Sequence, residues 1–231
     1  SNSSGDITST VQANTKAGFS IVTYTGNGSS AQSIGHGLSS GAPELIFVKN
    51  RDAADSWAVY HHSLGNAAHM ILDTGAGQTT SSAYWGSFTP TTSLFKVGSD
   101  HKLNASGEKY VAYLWHGVEG YSKFGFYDAN QNADGPFIYT GFRPRMIFIK
   151  MTVTGDGWGV WDSERGPSNV IDNIVQWNTT GTESSNSYYN VDFLSNGFKI
   201  RSSNAQVNHT SYDPYIWGAW GDVPFKYNNT F

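Results

Sequence analysis

Apolar positions along the chain fall in short runs, and no run sustains a 3.6-residue period over the length of a helix. "SIVTY" alternates, with Ile21 and Thr23 on one face and Ser20, Val22 and Tyr24 on the other. "ELIFVK" is a continuous apolar run that starts after Pro43 and ends in polar residues, the pattern of a buried strand. "SWAVYHH" alternates again, Trp57 and Val59 against Ala58 and Tyr60, and "SLFKVG" and "KYVAYLWH" continue the series. Between these runs stand "TGNGSS", "HGLSSGAP", "RDAADS" and "DHKLNASGE", all rich in turn-forming residues. "NVIDNIVQW" (Asn169–Trp177) reads as either a helical turn or a strand. This density of short strands predicts an all-β protein built of β-sandwich, jelly-roll-like units.

The runs also recur in order. "PELIFVKN" (Pro43–Asn50) matches "PRMIFIKM" (Pro144–Met151), and "SWAVY" (Ser56–Tyr60) matches "GWGVW" (Gly157–Trp161). "LFKVGS" (Leu94–Ser99) matches "GFKIRS" (Gly197–Ser202), and "YVAYLWHGV" (Tyr110–Val118) matches "YIWGAWGDV" (Tyr215–Val223). At the front, "FSIVTYTGN" (Phe19–Asn27) parallels "SKFGFYDAN" (Ser122–Asn130). Preserved order with little drift in offset predicts two tandem, related, closely packed sandwich repeats. They are residues 17–119 and residues 120–231, the second carrying the C-terminal tail. Residues 1–16 read as a linker or an extended strand available to a neighbouring chain.

Composition narrows the class. Charged residues make up 14% of the chain, aromatics 15%, and there are 26 glycines, so the chain is a turn-rich globular β protein with neutral polar surfaces. A net charge of −4 with no basic stripe argues against nucleic acid as a partner. No apolar stretch approaches the roughly 20 residues of a membrane-spanning helix, so no membrane insertion is expected. The absence of cysteine excludes disulfides and thiolate metal sites. Six N-x-S/T sequons, at Asn2, Asn27, Asn104, Asn178, Asn208 and Asn228, are the number that chance supplies in so Asn/Ser/Thr-rich a chain.

The repeat serves as an internal control on candidate chemistry. His36 falls opposite Thr140, His61 opposite Asp162 and His116 opposite Gly221, so the shared architecture requires none of these histidines. The adjacent His61 and His62 point to opposite faces of a strand and lack a third ligand. "DANQNADG" places Asp128, Asn130, Asn132 and Asp134 at alternate positions, a weak candidate loop for calcium. It lacks the glycine and glutamate of an EF-hand. No nucleophile elbow or phosphate loop is present, and nothing pairs Glu108, Asp162, Glu164 or Asp213 as glycosidase carboxylates. The chain therefore reads as a non-enzyme without a cofactor, calcium being the one left open. Trp57/Trp158 and Trp115/Trp220 recur in both copies and are assigned to the cores. Tyr84, Trp85, Phe88, Trp177, Tyr188 and Tyr189 lie in polar segments that the copies do not share. They are the candidate ligand-binding residues, suited to stacking on sugars or a protein surface; the alternative is that each plugs its own loop.

Taken together, "AGFSIVTYTGNG", "GHGLSSGAPELIFVKNR", "SWAVYHHSLG", "NASGEKYVAYLWHGVEGYSKFGFY", "DGPFIYTGFRPRMIFIK" and the terminal "DVPFKYNNTF" carry a resemblance. The chain resembles a duplicated β-rich domain of tail-fibre and other virion-associated proteins of marine phages, cyanophages among them. The resemblance covers nearly everything after residue 16 and implies a surface or distal module of a virion, with no catalytic residues to carry over. The expected function is a tail-fibre or virion-surface adhesin that recognises a host-surface glycan or protein, strengthened by multivalency. The alternatives are a structural virion protein, such as a decoration or fibre-building subunit, and a carbohydrate-binding module of a secreted bacterial protein. Other virion subunits and further copies of the chain are expected partners, and the virion surface or extracellular space the expected location.

Overall fold

The computed structural model describes residues 1–153 and 155–222; the block "DVPFKYNNTF" beyond Asp222 and the sequon at Asn228 lie outside them. The chain divides into two compact units, Ser1–Gly117 and a second that begins at Val118. Almost all regular structure in both is antiparallel β.

Unit 1 contains β1 (Ser9–Asn14), β2 (Phe19–Thr25), β3 (Gln32–Gly35), β4 (Leu45–Asn50), β5 (Ala58–His61), β6 (Ala68–Ile71), β7 (Thr79–Thr80), β8 (Leu94–Val97) and β9 (Lys109–Trp115). Two one-turn helices, α1 (Ser82–Trp85) and α2 (His101–Asn104), join them. The main sheet has seven strands in the order β1-β2-β9-β4-β5-β6-β7, and β3 pairs with β8 in a second sheet. Alternation decides what faces inward. Val22 and Tyr24 of β2, Ile46 and Val48 of β4, Ala58 and Tyr60 of β5, and Tyr110, Ala112 and Leu114 of β9 meet Ile34, Phe95 and Val97 of the smaller sheet. Each fully buried aliphatic side chain contributes on the order of 1.5–3 kcal/mol. Residues 1–16 hold β1, which pairs with β2 of its own unit, so they are an edge strand and not a linker. Main-chain pairing and the burial of Ile7 fix the segment in place.

Unit 2 contains β10 (Ser122–Tyr127), β11 (Phe137–Tyr139), β12 (Met146–Met151), β13 (Gly159–Asp162), β14 (Asn173–Gln176), β15 (Ser184–Ser185), β16 (Val191–Leu194), β17 (Gly197–Ile200) and β18 (Tyr215–Trp220). Its main sheet runs β10-β18-β12-β13-β14-β15, position for position the order β2-β9-β4-β5-β6-β7 of unit 1. The second sheet is β11-β17-β16. The core is Tyr127, Ile147, Ile149, Trp161, Ile174, Tyr215 and Trp217 against Ile138, Phe193, Phe198 and Ile200. The ambiguous "NVIDNIVQW" segment thus holds a strand, β14.

The same tie closes the end of each sandwich. Tyr24 stacks on Tyr110 (ring centroids 5.1 Å apart) and donates its hydroxyl proton to the Leu103 carbonyl at 2.7 Å. Tyr127 stacks on Tyr215 (5.2 Å) and donates to the Val207 carbonyl at 2.6 Å. Beside each tie, a fully buried asparagine pins the loop after β2 in unit 1 and after β10 in unit 2. Asn104 Oδ1 accepts from Asn27 N, and Asn208 Oδ1 accepts from Asn130 N, both at 2.8 Å. Burying an amide is favourable only because its partners are supplied. These bonds also make the Asn104 and Asn208 sequons structural positions.

The recurring tryptophans are placed differently from expectation. Trp158 is fully buried, as expected, whereas Trp57, Trp115 and Trp220 are half-buried, and none of the four belongs to the cluster between the sheets. Alternation sends them to the opposite face of each main sheet. There Phe19, Phe47, Trp57, Tyr113 and Trp115 contact one another in unit 1, as do Phe124, Phe148, Trp158, Trp177 and Trp220 in unit 2.

Candidate functional site

The unshared segment of unit 1 folds its aromatics inward. Ser81 caps α1 by accepting from Ala83 N at 3.2 Å, and Gly86 ends the helix in the left-handed region at φ 61°. That single turn drives Tyr84 and Trp85 into the core, 7% and 2% exposed. Trp85 packs edge-on against Tyr60, and Tyr84 lies flat on His69 with ring centroids 3.3 Å apart. Phe88 is half-buried beneath the Lys96 ammonium, 4.8 Å from its ring centre. Tyr84 and Trp85 are therefore core residues, not a ligand platform: their faces are spent on the interior.

In unit 2 the candidates separate. Trp177 is half-buried against Phe148. Tyr189 packs on the core, and its carbonyl accepts from Trp161 Nε1 at 2.8 Å. Tyr188, whose N–H is capped by Asn186 Oδ1 at 3.0 Å, stands 56% exposed among Ser, Thr, Asn and Gly. Of the six candidates, it alone is exposed.

The calcium candidate is a self-satisfied turn. Asn132 N donates to Asn130 Oδ1 at 3.0 Å, and Asp134 N donates to Asn132 Oδ1 at 2.9 Å. The Asp134 carboxylate pairs with Lys199 at 2.8 Å and Arg201 at 3.5 Å. The Lys199 hydrogen bond holds that carboxyl below its ordinary range. Fixed cations already compensate the charge that a calcium ion would need, so Asp128, Asn130, Asn132 and Asp134 do not form a cation cage.

The histidines serve turns. His36 Nδ1 accepts from Leu38 N at 3.1 Å, and its Nε2 lies 3.0 Å from the Thr91 carbonyl, which fixes the neutral tautomer with the proton on Nε2. Burial holds its pKa below the ordinary value. At the same position in unit 2, Thr140 Oγ1 accepts from Phe142 N at 3.3 Å. Likewise His61 Nδ1 accepts from Ser63 N at 3.2 Å, and Asp162 Oδ1 accepts from Glu164 N at 3.1 Å.

Exposure is asymmetric. Among the described residues the exposed large apolar side chains are Phe126 (55%), Phe137 (45%), Tyr139 (58%), Val170 and Tyr188, all in unit 2. Against these positions the alignment of the repeats sets Thr23 for Phe126, Ser33 for Phe137 and Gly35 for Tyr139. Sequence reasoning passed over Phe126 because it sits inside a shared strand block, and over Phe137 and Tyr139 because they lie outside the unshared segments in which ligand-binding aromatics were sought. The change from small to aromatic was the signal available.

The sequence profile of a domain of unknown function, DUF7483, matches residues 1–224. The chain belongs to the DUF7483 family. No curated protein and no solved structure matches it. The carboxylates of this DUF7483 chain that could have served hydrolysis are held by neighbours. Arg165 Nε donates to Asp162 Oδ2 at 2.5 Å, Arg145 pairs with Glu164 at 3.1 Å, and Asp213 Oδ1 accepts from Ala129 N at 2.6 Å. Burial pushes the Asp162 carboxyl up, but the Arg165 hydrogen bonds outweigh it and hold the group ionised. Glu108 is bound by Asn50 and Tyr110.

Proposed function

We propose that this chain is a non-enzymatic recognition module of a virion surface or tail fibre. In this reading unit 2 contacts a host-surface glycan or protein, and unit 1 serves as a closed scaffold. The observation that carries the reading is the asymmetry of exposure: unit 2 presents large apolar side chains to solvent, and Phe126, Phe137 and Tyr139 among them stand where unit 1 has the smaller Thr23, Ser33 and Gly35. Tyr188, in a polar loop, offers the flat, hydroxyl-tipped surface that sugars and protein epitopes favour. The commitment of Asp162, Glu164 and Asp213 to structural partners supports a binding rather than a hydrolytic role. The sequence resemblance to phage virion proteins supplies the context. A structural role as a decoration or fibre-building subunit is the second reading, favoured by the exposed Phe126 on β10, the outermost strand of its sheet among the described residues.

Glycan-array and host-cell binding by the intact chain, compared with Tyr188→Ala, tests the proposal. The variant removes an exposed side chain and leaves the fold unchanged, so a tenfold or larger loss of binding is the expected result (about 1.4 kcal/mol). Binding that is equal in both proteins would move the site away from this loop. No binding to any glycan or host surface would leave the structural reading in its place.

A further inference from the structure

The second sheet of unit 2 has one face in the core and one outside it. Ile138 of β11, Phe198 of β17 and Phe193 of β16 belong to the core. Alternation along the register then sets two rows on the outer face. One is Phe137, Lys199 and Asp192; the other is Tyr139, Gly197 and Leu194. Phe137 and Tyr139 are 45% and 58% exposed. Two positions apart on one strand, their Cα atoms lie roughly 6.7 Å from each other, close enough for one ligand to meet both side chains. A Cβ at Gly197 would stand 2.9 Å from Phe137 Cζ, so the bare glycine makes room for the Phe137 ring.

Charge on this face is matched at every place but one. Asp134 pairs with Lys199 at 2.8 Å and with Arg201 at 3.5 Å, and Arg201 pairs with Asp192 at 3.4 Å. Lys123 forms no ion pair among the described residues. Its Nζ donates to the Tyr139 carbonyl at 3.0 Å and lies 4.9 Å from the centre of the Tyr139 ring. An ammonium has three N–H donors, and that bond uses one of them. A cation is thus held beside two exposed aromatic side chains without a carboxylate to balance it.

We propose that this face binds a glycan whose sugars carry carboxylate groups, which rests on the reading of unit 2 as the recognition unit and names its ligand class. Sugar rings pack on Phe137 and Tyr139, and a sugar carboxylate pairs with Lys123. The C–H groups of a sugar ring are weakly positive and suit the negative face of an aromatic ring. The ammonium adds a charge-assisted hydrogen bond that a neutral sugar cannot supply. A peptide is the alternative occupant, and in unit 1 the chain's own residues 2–7 do lie against the corresponding strand, β3. A Cβ at Gly5 would stand 2.4 Å from the Ser33 carbonyl oxygen, and one at Gly35 would stand 2.4 Å from Asn2 Oδ1. So close an approach needs small residues on the sheet, and Phe137 and Tyr139 stand at the counterparts of Ser33 and Gly35.

The test is binding of alginate, polygalacturonate and hyaluronate to the intact chain, each beside its carboxyl-reduced form, with poly-glutamate as the peptide probe. The chain should bind at least one of the acidic polysaccharides, and carboxyl reduction or a rise to about 0.5 M salt should weaken that binding about tenfold. Phe137→Ala and Tyr139→Ala should each weaken it at least about tenfold. Lys123→Met should weaken it to a similar degree and Lys123→Arg less, with circular dichroism confirming that each variant folds. On the carboxyl-reduced polymer Lys123→Met should change nothing, because the partner of the ammonium is already gone. An equal loss on both forms of the polymer overturns the proposal, as does poly-glutamate binding as tightly as any polysaccharide. Binding to host cells that none of these variants alters overturns it too and leaves the recognition reading standing. Absence of binding to host cells and to every polysaccharide overturns both.

Discussion

Acid should destabilise unit 1 through one buried ring. His69 on β6 is 6% exposed, stacked on Tyr84, and its Nδ1 has no hydrogen-bond partner. Burial lowers its pKa from 6.5 to about 4; Asp100 opposes that shift and Lys102 adds to it. A folded pKa below the unfolded one means that the unfolded chain binds the extra proton between these values. Stability is therefore intact above pH 6.5 and falls as the pH drops through the window toward 4. At 1.36 kcal/mol per unit, the 2.5-unit gap amounts to roughly 3 kcal/mol between pH 7 and pH 4. That is a large share of the margin of an ordinary domain. His69→Phe keeps the stacked ring and has nothing to protonate. Urea unfolding should be followed by hydrogen exchange on β4, β5 and β6, so that the unfolding of unit 1 is read separately. The wild type should lose about 3 kcal/mol more than His69→Phe between pH 7 and pH 4, since the carboxylates common to both cancel in the difference. Equal losses in the two proteins would refute the assignment of the proton to this ring.

Two further outcomes follow from buried groups. His36→Ala strands the buried Leu38 N–H and should cost about 2–4 kcal/mol, whereas His36→Thr, which installs the acceptor that unit 2 uses at Thr140, should cost less than half as much by urea unfolding. Lys150 is fully buried on β12 with its pKa lowered to about 8 by burial, against Asp156; the penalty is fully present below pH 8 and is relieved as the pH rises toward 10.5. Lys150→Met should accordingly stabilise unit 2 at pH 7 by up to about 3 kcal/mol, less the bond to the Met151 carbonyl, in thermal unfolding.

The all-β architecture was legible because period-two alternation has one physical meaning when one face of a strand is buried. Val22 and Tyr24, or Tyr110, Ala112 and Leu114, could face inward only together. What alternation could not reveal is which of two buried faces belongs to the sandwich. The recurring tryptophans sit on the other one, and a recurring aromatic is equally consistent with either. Tyr84 and Trp85 were misplaced for a different reason. Ser/Thr/Gly-rich sequence looks like an exposed loop, yet the same Ser and Gly residues cap a single helical turn that rotates both rings inward. A one-turn helix leaves no periodicity to detect.

Comparison between the two units, whose main sheets share a strand order, was most informative at the level of single positions within corresponding strands. Comparing whole segments assigns shared blocks to architecture and unshared blocks to function, and by that rule His36 reads as architecture; the structure gives it the same turn bond that Thr140 makes. The rule fails where a shared strand changes the size of a side chain. Thr23, Ser33 and Gly35 in unit 1 stand where Phe126, Phe137 and Tyr139 stand in unit 2. Ser33 and Gly35 are small where residues 2–9 lie against them: Ser9 Oγ donates to the Gly35 carbonyl at 2.8 Å, and Asp6 binds Ser33. Among the described residues of unit 2 no such segment lies at these positions, and the larger side chains are exposed. Aromatic rings in water cost free energy that selection ordinarily removes unless a partner recovers it. The substitutions that distinguish two otherwise equivalent sheet edges are therefore where partner binding should be sought first.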